Sequence, residues 1–154
     1  MVFTENTRLQ EICQAEHLLP IRDCLISGGR FFEENGTLTL VQLQERSPTW
    51  NAQDLLYGLR RLEEPYKVCS VYGGEDPRMA AVKLTWLPAR EKKHETFVIL
   101  LAGGAYGAVC TMAESLPVAA RLNELGYSCF CLNYRTAEVG GQAVLGRQTD
   151  FPTP

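Results

Sequence analysis

The sequence has little of what several large classes of protein require. No stretch approaches the roughly 20 consecutive apolar residues that span a bilayer, and Met1-Val-Phe-Thr-Glu-Asn lacks the basic start and apolar run of a secretory signal. No membrane association is expected, and a cytoplasmic location is. Basic excess is missing as well. Fifteen Lys and Arg face 18 Asp and Glu, a formal net charge of -3, which gives no electrostatic footprint for nucleic acid or an anionic membrane. Histidine is scarce, with His17 and His94 in unrelated segments. The six cysteines (Cys13, Cys24, Cys69, Cys110, Cys129, Cys131) contain no Cys-x-x-Cys spacing, although Cys129 and Cys131 share one face of a strand. Zinc needs about four ligands, so no metal is expected, and the cysteines read as reduced thiols in the core. No cofactor is implied. Internal repeats and low-complexity tracts are also missing. What is present is enough to build a core: 154 residues, 45% hydrophobic and 21% charged, fit one ordinary globular domain.

The charges are unevenly spread. Residues 96–154 carry only Arg121, Arg135, Arg147, Glu114, Glu124, Glu138 and Asp150, so this part is composed for burial. The first zone, residues 1–65, is helical and polar, opening with a helix from Arg8 to Leu19 that Pro20 terminates. Residues 31–46 admit two readings. Asn35-Gly36 ahead of the alternating Thr37-Leu38-Thr39-Leu40 fits a hairpin, whereas Thr39-x-x-Gln42 fits a capping box opening a short helix, and the helix is favoured. From Trp50 to Glu64 a clearer helix is expected, capped by Asn51, with Asp54 near its positive end, Trp50 stapled onto Leu55, and Leu55, Leu56, Leu59 and Leu62 on one face. Pro65 ends it.

Two strands follow, Tyr66 to Tyr72 and Met79 to Leu87, joined by Gly73-Gly74-Glu75-Asp76-Pro77 and read as an antiparallel pair. A charged connector, Pro88 to Glu95, leads to Phe97–Leu101, a continuous apolar run of the kind expected for a strand buried on both faces. A helix from about Ser115 to Leu125, closed by Gly126, and a second buried strand, Tyr127 to Leu132, complete a strand-turn-helix-strand unit with a right-handed parallel crossover.

In such sheets ligands gather beyond the carboxyl ends of the strands, which places a site at the turn Ala102 to Gly107. Three readings of that turn stand side by side. Its glycines permit close packing and nothing more, or they expose backbone N–H groups as an oxyanion hole with Gly104 and Ala105 as donors, or they form a dinucleotide loop. The last rests on Ala102-x-Gly104-x-x-Gly107, which lacks the first glycine of Gly-x-Gly-x-x-Gly, with Asn133 and Arg135 placed where a ribose-phosphate reader would sit.

The surrounding residues favour the oxyanion reading. Leu101-Ala102-Gly103-Gly104-Ala105-Tyr106, then Glu114-Ser115-Leu116-Pro117-Val118-Ala119, Leu122-Asn123-x-x-Gly126-Tyr127, Phe130 and Leu132-Asn133-Tyr134-Arg135 together resemble the acetyl-esterase and lipase-like branch of the α/β-hydrolases. The likeness is clear over about 40 residues and looser in the strand pair upstream. It implies an α/β fold: a partial α/β-hydrolase sheet, an antiparallel strand pair and then a parallel strand-helix-strand unit, preceded by a helical N-terminal segment. Residues 1–65 would be that segment, 66–135 the partial core, and 136–154 a loop or disordered tail. It further implies that Gly104 and Ala105 are oxyanion donors, that Gly103 and Tyr106 line the acyl pocket, and that Glu114 and Arg135 are structural ties. Ala102 departs from the His or Pro that often opens this loop. Ala105 replaces a glycine, and would be strained if its position needs positive φ.

A hydrolase triad needs a serine on a Gly-x-Ser-x-Gly elbow followed by an acid and a histidine, and none is found here. Gly126-Tyr127-Ser128-Cys129-Phe130 lacks the second glycine and enters a strand, so Ser128 is not read as a nucleophile; His94 reads as solvated within a charged connector, and His17 has no supporting context. The expectation is the N-terminal portion of a serine carboxylic-ester hydrolase, inactive alone, which would take an acyl-ester substrate once completed. A noncatalytic interaction protein on the same fold is the alternative, with a nucleotide-binding half domain behind it. The open edge of the Phe97–Leu101 strand is expected to make the chain poorly soluble, oligomeric or held by a partner.

Overall fold

The structure, a computed structural model, describes residues 2–28, 31–73 and 75–136, with the backbone of 138–139 and 142–143. Its first part is helical: α1 (Leu9–Gln14), α2 (Arg22–Leu25), a two-residue strand β1 (Ser27–Gly28), α3 (Phe31–Asn35), α4 (Leu40–Arg46) and α5 (Ala52–Arg60). The capping box forms. Thr39 Oγ1 accepts from the Gln42 amide at 3.3 Å and Gln42 Oε1 accepts from the Thr39 amide at 3.0 Å, so α4 starts there and no hairpin competes. Asn51 caps α5 in the same local manner, accepting from the Gln53 and Asp54 amides at 3.0 Å. The helix expected from Arg8 to Leu19 instead breaks at Ala15, which adopts extended backbone (φ -63°, ψ 128°) and buries its methyl before a 3-10 turn, Glu16–Leu18. That break aims His17 at Phe3, on which it stacks at 5.6 Å, and presents the His17 carbonyl to the Tyr66 hydroxyl at 2.8 Å.

The sheet comprises β2 (Lys67–Ser70), β3 (Lys83–Leu87), β4 (Phe97–Leu100) and β6 (Ser128–Asn133), with β5 (Ala108–Val109) outside it, paired to β1. Between β2 and β3 lies a helical turn, α6 (Pro77–Ala80). The strand expected from Met79 therefore begins only at Lys83, because proline at the first position of the turn presets helical φ and the Met79 and Ala80 amides return to the Asp76 carbonyl. Among the described residues the sheet order is β2-β3-β6-β4. β2 and β3 are antiparallel, as are β3 and β6, while β4 and β6 are parallel with α7 (Leu116–Glu124) between them in sequence. The chain is thus mixed α/β with a four-stranded mixed sheet. Of residues 136–154, β7 (Glu138–Val139) and β8 (Gln142–Ala143) pair antiparallel; the rest of the expected tail beyond Thr136 lies outside the described residues.

The core lies on one face of the sheet. α5 packs on α7, which packs on β6, and Leu55, Leu59, Leu87, Leu116, Ala119, Cys129 and Cys131 are all fully or almost fully buried there. Each such leucine contributes about 2 kcal/mol by leaving water. Gly58 sets how closely the helices approach: a Cβ there would stand 2.8 Å from the Pro117 nitrogen and 3.0 Å from the Leu116 backbone. At the end of this seam the buried Arg61 donates through Nε to Asn123 Oδ1 at 2.5 Å and through Nη2 to the Pro88 carbonyl at 2.8 Å. Asn123 Nδ2 in turn donates to the Leu87 and Tyr127 carbonyls at 3.1 and 2.8 Å. One side-chain pair so ties α7 and the turn after α5 to the end of β3.

Among the described residues no element covers the opposite face of the sheet. β4 was expected to be buried on both faces, but Phe97 and Ile99 are 59% and 50% exposed while Val98 and Leu100 pack on the core. An unbroken apolar run hides such one-sidedness, since both faces of the strand carry the same kind of residue. Across the register Ile99 lies beside Phe130 and Phe130 beside Trp86, which is 40% exposed.

Candidate functional site

The loop that leaves the carboxyl end of β4 is built from four successive backbone constraints. Ala102 is buried, and its carbonyl accepts from the Tyr134 hydroxyl at 2.7 Å, which ties the loop to the chain leaving β6. Gly103 donates its amide to Glu114 Oε2 at 2.5 Å and accepts from the Cys110 amide at 3.1 Å. Gly104 then accepts from both the Gly107 and Ala108 amides, at 3.0 and 3.1 Å. Ala105 and Tyr106 complete the turn with φ of 52° and 59°, both in the left-handed region that residues with a Cβ seldom adopt. Gly104 itself has φ of 139°, and a Cβ there would sit 2.2 Å from the Ala108 carbonyl oxygen, so only glycine fits.

These bonds sort the amides of the loop. The Gly103 N–H is consumed by Glu114. Among the described residues neither the Gly104 nor the Ala105 N–H has a protein acceptor, which leaves two adjacent donors unspent. The loop borders an open cleft of about 560 Å³ lined by Leu101, Ala102, Gly103, Ala105, Tyr106, Tyr134 and Arg135. Of the four residues singled out in the sequence, Gly103, Ala105 and Tyr106 therefore face the cleft, and Gly104 shapes the turn beneath it. The Tyr106 ring meets Tyr134 edge-on at 5.9 Å and is 59% exposed. Burial, then the nearby Tyr106, Cys110 and Glu114, pushes the Tyr134 phenol up from its ordinary value. It therefore stays a neutral donor to Ala102 at any physiological pH.

Behind the loop a π-helical turn, Thr111–Ser115, carries Glu114 to Gly103 and continues directly into α7. Glu114 is thus the tie between loop and helix. Asn133, at the end of β6, is buried and donates to the Cys24 carbonyl at 2.9 Å and Ser27 Oγ at 3.1 Å while accepting from Thr111 at 3.3 Å. Its amide hydrogens are spent on the protein, so it offers no donor to a ribose. The remaining candidates lie elsewhere. Ser128 starts β6, at the end opposite the loop, and accepts from the Ala89 amide at 3.2 Å. His94 stacks on Tyr127 at 3.8 Å, and neither it nor His17 lines the cleft. No three His, Cys, Asp or Glu side chains converge as a metal site among the described residues, and no described helix is long and apolar enough to cross a membrane.

The sequence missed the roles of Tyr134 and Arg61. Tyr134 stood in the right block, but a hydroxyl aimed at a carbonyl 32 residues away has no local signature. Arg61 carries no local mark that sets it apart from Arg60 beside it. Comparison with models of known protein families, with curated proteins and with solved structures gave no match. The chemistry of the site therefore rests on its geometry and on the sequence motifs.

Proposed function

We propose that this chain is the N-terminal portion of a serine carboxylic-ester hydrolase of the α/β-hydrolase fold, cytoplasmic and of the acetyl-esterase and lipase-like branch. The observation that carries the reading is the pair of unspent amides at Gly104 and Ala105, Ala105 lining the cleft and Gly104 in the turn beneath it, held at the carboxyl end of a strand by a turn that only glycine can open. Acyl transfer puts negative charge on a carbonyl oxygen, and each preorganised N–H donor stabilises it by about 3 kcal/mol. Gly103 and Tyr106 would flank the acyl group. The parallel β4–β6 pair, with the other edge of β4 unpaired among the described residues, leaves the place where this fold adds its nucleophile strand.

The sequence holds no Gly-x-Ser-x-Gly elbow, so this chain by itself polarises a carbonyl without attacking it. No turnover of a simple acyl ester is expected from the purified protein, and hydrolysis of p-nitrophenyl acetate that falls in a Gly104→Ala, Ala105→Pro double variant would refute that. Reading the coding DNA past the Pro154 codon in all three forward frames tests the larger claim. A serine elbow followed by Asp and His supports the hydrolase. Their absence favours the second reading, a noncatalytic interaction protein on the same fold, for which the bare apolar sheet face speaks. Asn133 spends its amide hydrogens on Cys24 and Ser27, so of the two residues named for a ribose-phosphate reader Arg135 alone lines the cleft, which makes the nucleotide-binding reading the weakest of the three.

A further inference from the structure

We propose that the bare face of the sheet is the interface of a closed two-fold dimer in which two copies of this chain pack their sheets face to face. The register places Phe97 and Ile99 of β4, Phe130 and Leu132 of β6, and Leu84 and Trp86 of β3 side by side on this face. Phe97 meets Phe130 edge-on at 5.3 Å, so the aromatic row is already ordered. Leu101, 64% exposed, prolongs the row toward the cleft. Among the described strand residues on this face none is acidic and the one charge is Lys67, opposite Trp86 at the β2 edge.

The area suits a second copy. At exposures of 59%, 50%, 64% and 40%, Phe97, Ile99, Leu101 and Trp86 leave roughly 450–500 Å² of largely apolar surface, within the range of the single large patch that monomers carry and often use for function. Two copies apposed remove about twice that from water, and the half-buried Phe130, Leu132 and Leu84 with the rim bring the total to the roughly 1,200 Å² at which specific interfaces begin.

Geometry decides how the second copy sits. Antiparallel pairing of two β4 edges would satisfy strand N–H and C=O groups but would extend the same face into a sheet twice as wide, still bare. Packing face to face, about 10 Å apart, buries the row on both molecules. Helices cover the other face of each sheet, so the described residues of a molecule offer one such sheet face and the assembly closes at two. This inference does not depend on the hydrolase reading.

The test is analytical ultracentrifugation of the full 154-residue chain over a dilution series, with the iodide quenching of tryptophan fluorescence followed on the same samples. The expected result is a particle of twice 17.2 kDa that falls to one chain on dilution. Quenching rises in step, because Trp86 is uncovered while Trp50, 7% exposed and stacked on Phe31, stays shielded. Ile99→Glu, at a site already half exposed, should give a monomer. Hydrogen exchange separates the two geometries without any substitution: face packing leaves the exchange of the Phe97–Leu100 edge amides unchanged by dimerisation, whereas edge pairing protects them. A monomer at every concentration, an open-ended series of assemblies, a dimer with an exposed Trp86, or protection of the β4 edge would each overturn the proposal.

Discussion

Ala105 and Tyr106 hold φ of 52° and 59°, where a Cβ crowds the following carbonyl at a cost of about 1 kcal/mol each. The loop keeps that strain because Gly103 and Gly104 anchor both ends of the turn, one to Glu114 and Cys110, the other to Gly107 and Ala108. Two neighbouring substitutions should therefore have opposite signs. Ala105→Gly relieves the strain and loses part of the gain to the freer unfolded chain, so urea unfolding should show a rise of about 0.5 kcal/mol. Gly104→Ala drives a Cβ into the Ala108 carbonyl and should cost about 3 kcal/mol in the same assay. Equal effects at the two positions would mean that the turn does not have this conformation. The location of the turn was legible in the sequence from the apolar run ahead of Ala102-Gly103-Gly104, and positive φ at Ala105 was anticipated as a condition. Which amides remain free was not legible, because that depends on Glu114 reaching back 11 residues to Gly103.

At the level of elements, the α5–α7 seam depends on a missing side chain and a buried charge. Gly58→Ala places a methyl within 3.0 Å of the Leu116–Pro117 backbone, which cannot yield without moving α7, and a loss of about 2 kcal/mol by thermal unfolding is expected. Arg61 is 2% exposed, and desolvation lowers its pKa, an effect that the nearby Glu64 carboxylate opposes. Its bonds to Asn123 and Pro88 offset that cost, so Arg61→Ala, which strands both acceptors, should lose about 3 kcal/mol. Asn123→Ala added to it should cost much less than it does alone, because the two act as one network; strict additivity would show that they act separately. The same contrast explains what could be read in advance. The Thr39 and Asn51 caps depend on residues three apart and were visible in the sequence. The break at Ala15 and the one-sided burial of β4 depend on what packs where, and a local pattern carries no record of it; the turn at Pro77–Ala80 is local, set by Pro77 and the amides that return to Asp76.

For the molecule as a whole, the helices and the sheet enclose four of the six thiols that the sequence places in the core, and leave Cys69 and Cys110 half-buried. Burial is the largest influence on each, pushing Cys13, Cys24 and Cys129 up to about 11 and Cys131 to about 12 from an ordinary value of 9.0. For Cys131 the neighbouring Cys129 adds to the effect, and Arg61 opposes it at both strand positions. The sign follows from which state holds the proton. Below about pH 9 the thiols are neutral in both folded and unfolded chains, and their burial carries no titration penalty. Above it the unfolded chain loses protons that the folded chain retains, so the balance moves toward unfolding until the folded thiols titrate as well. Each thiol then costs on the order of 1 kcal/mol per pH unit. Against a net stability of roughly 5–15 kcal/mol, four such groups acting together are enough to unfold the domain. Urea midpoints should accordingly be level through neutral pH and fall steeply between pH 9 and 11, with the slope reduced when Cys129 and Cys131 are both replaced by Ala. Thiol labelling should follow the same transition, the half-buried Cys69 and Cys110 reacting in the folded protein and the other four only as it opens. A midpoint that stays flat to pH 11, or fast labelling of Cys131 at neutral pH, would mean that the core face of the sheet is open to water, and the arrangement of helices on one side and a bare apolar face on the other would have to be redrawn.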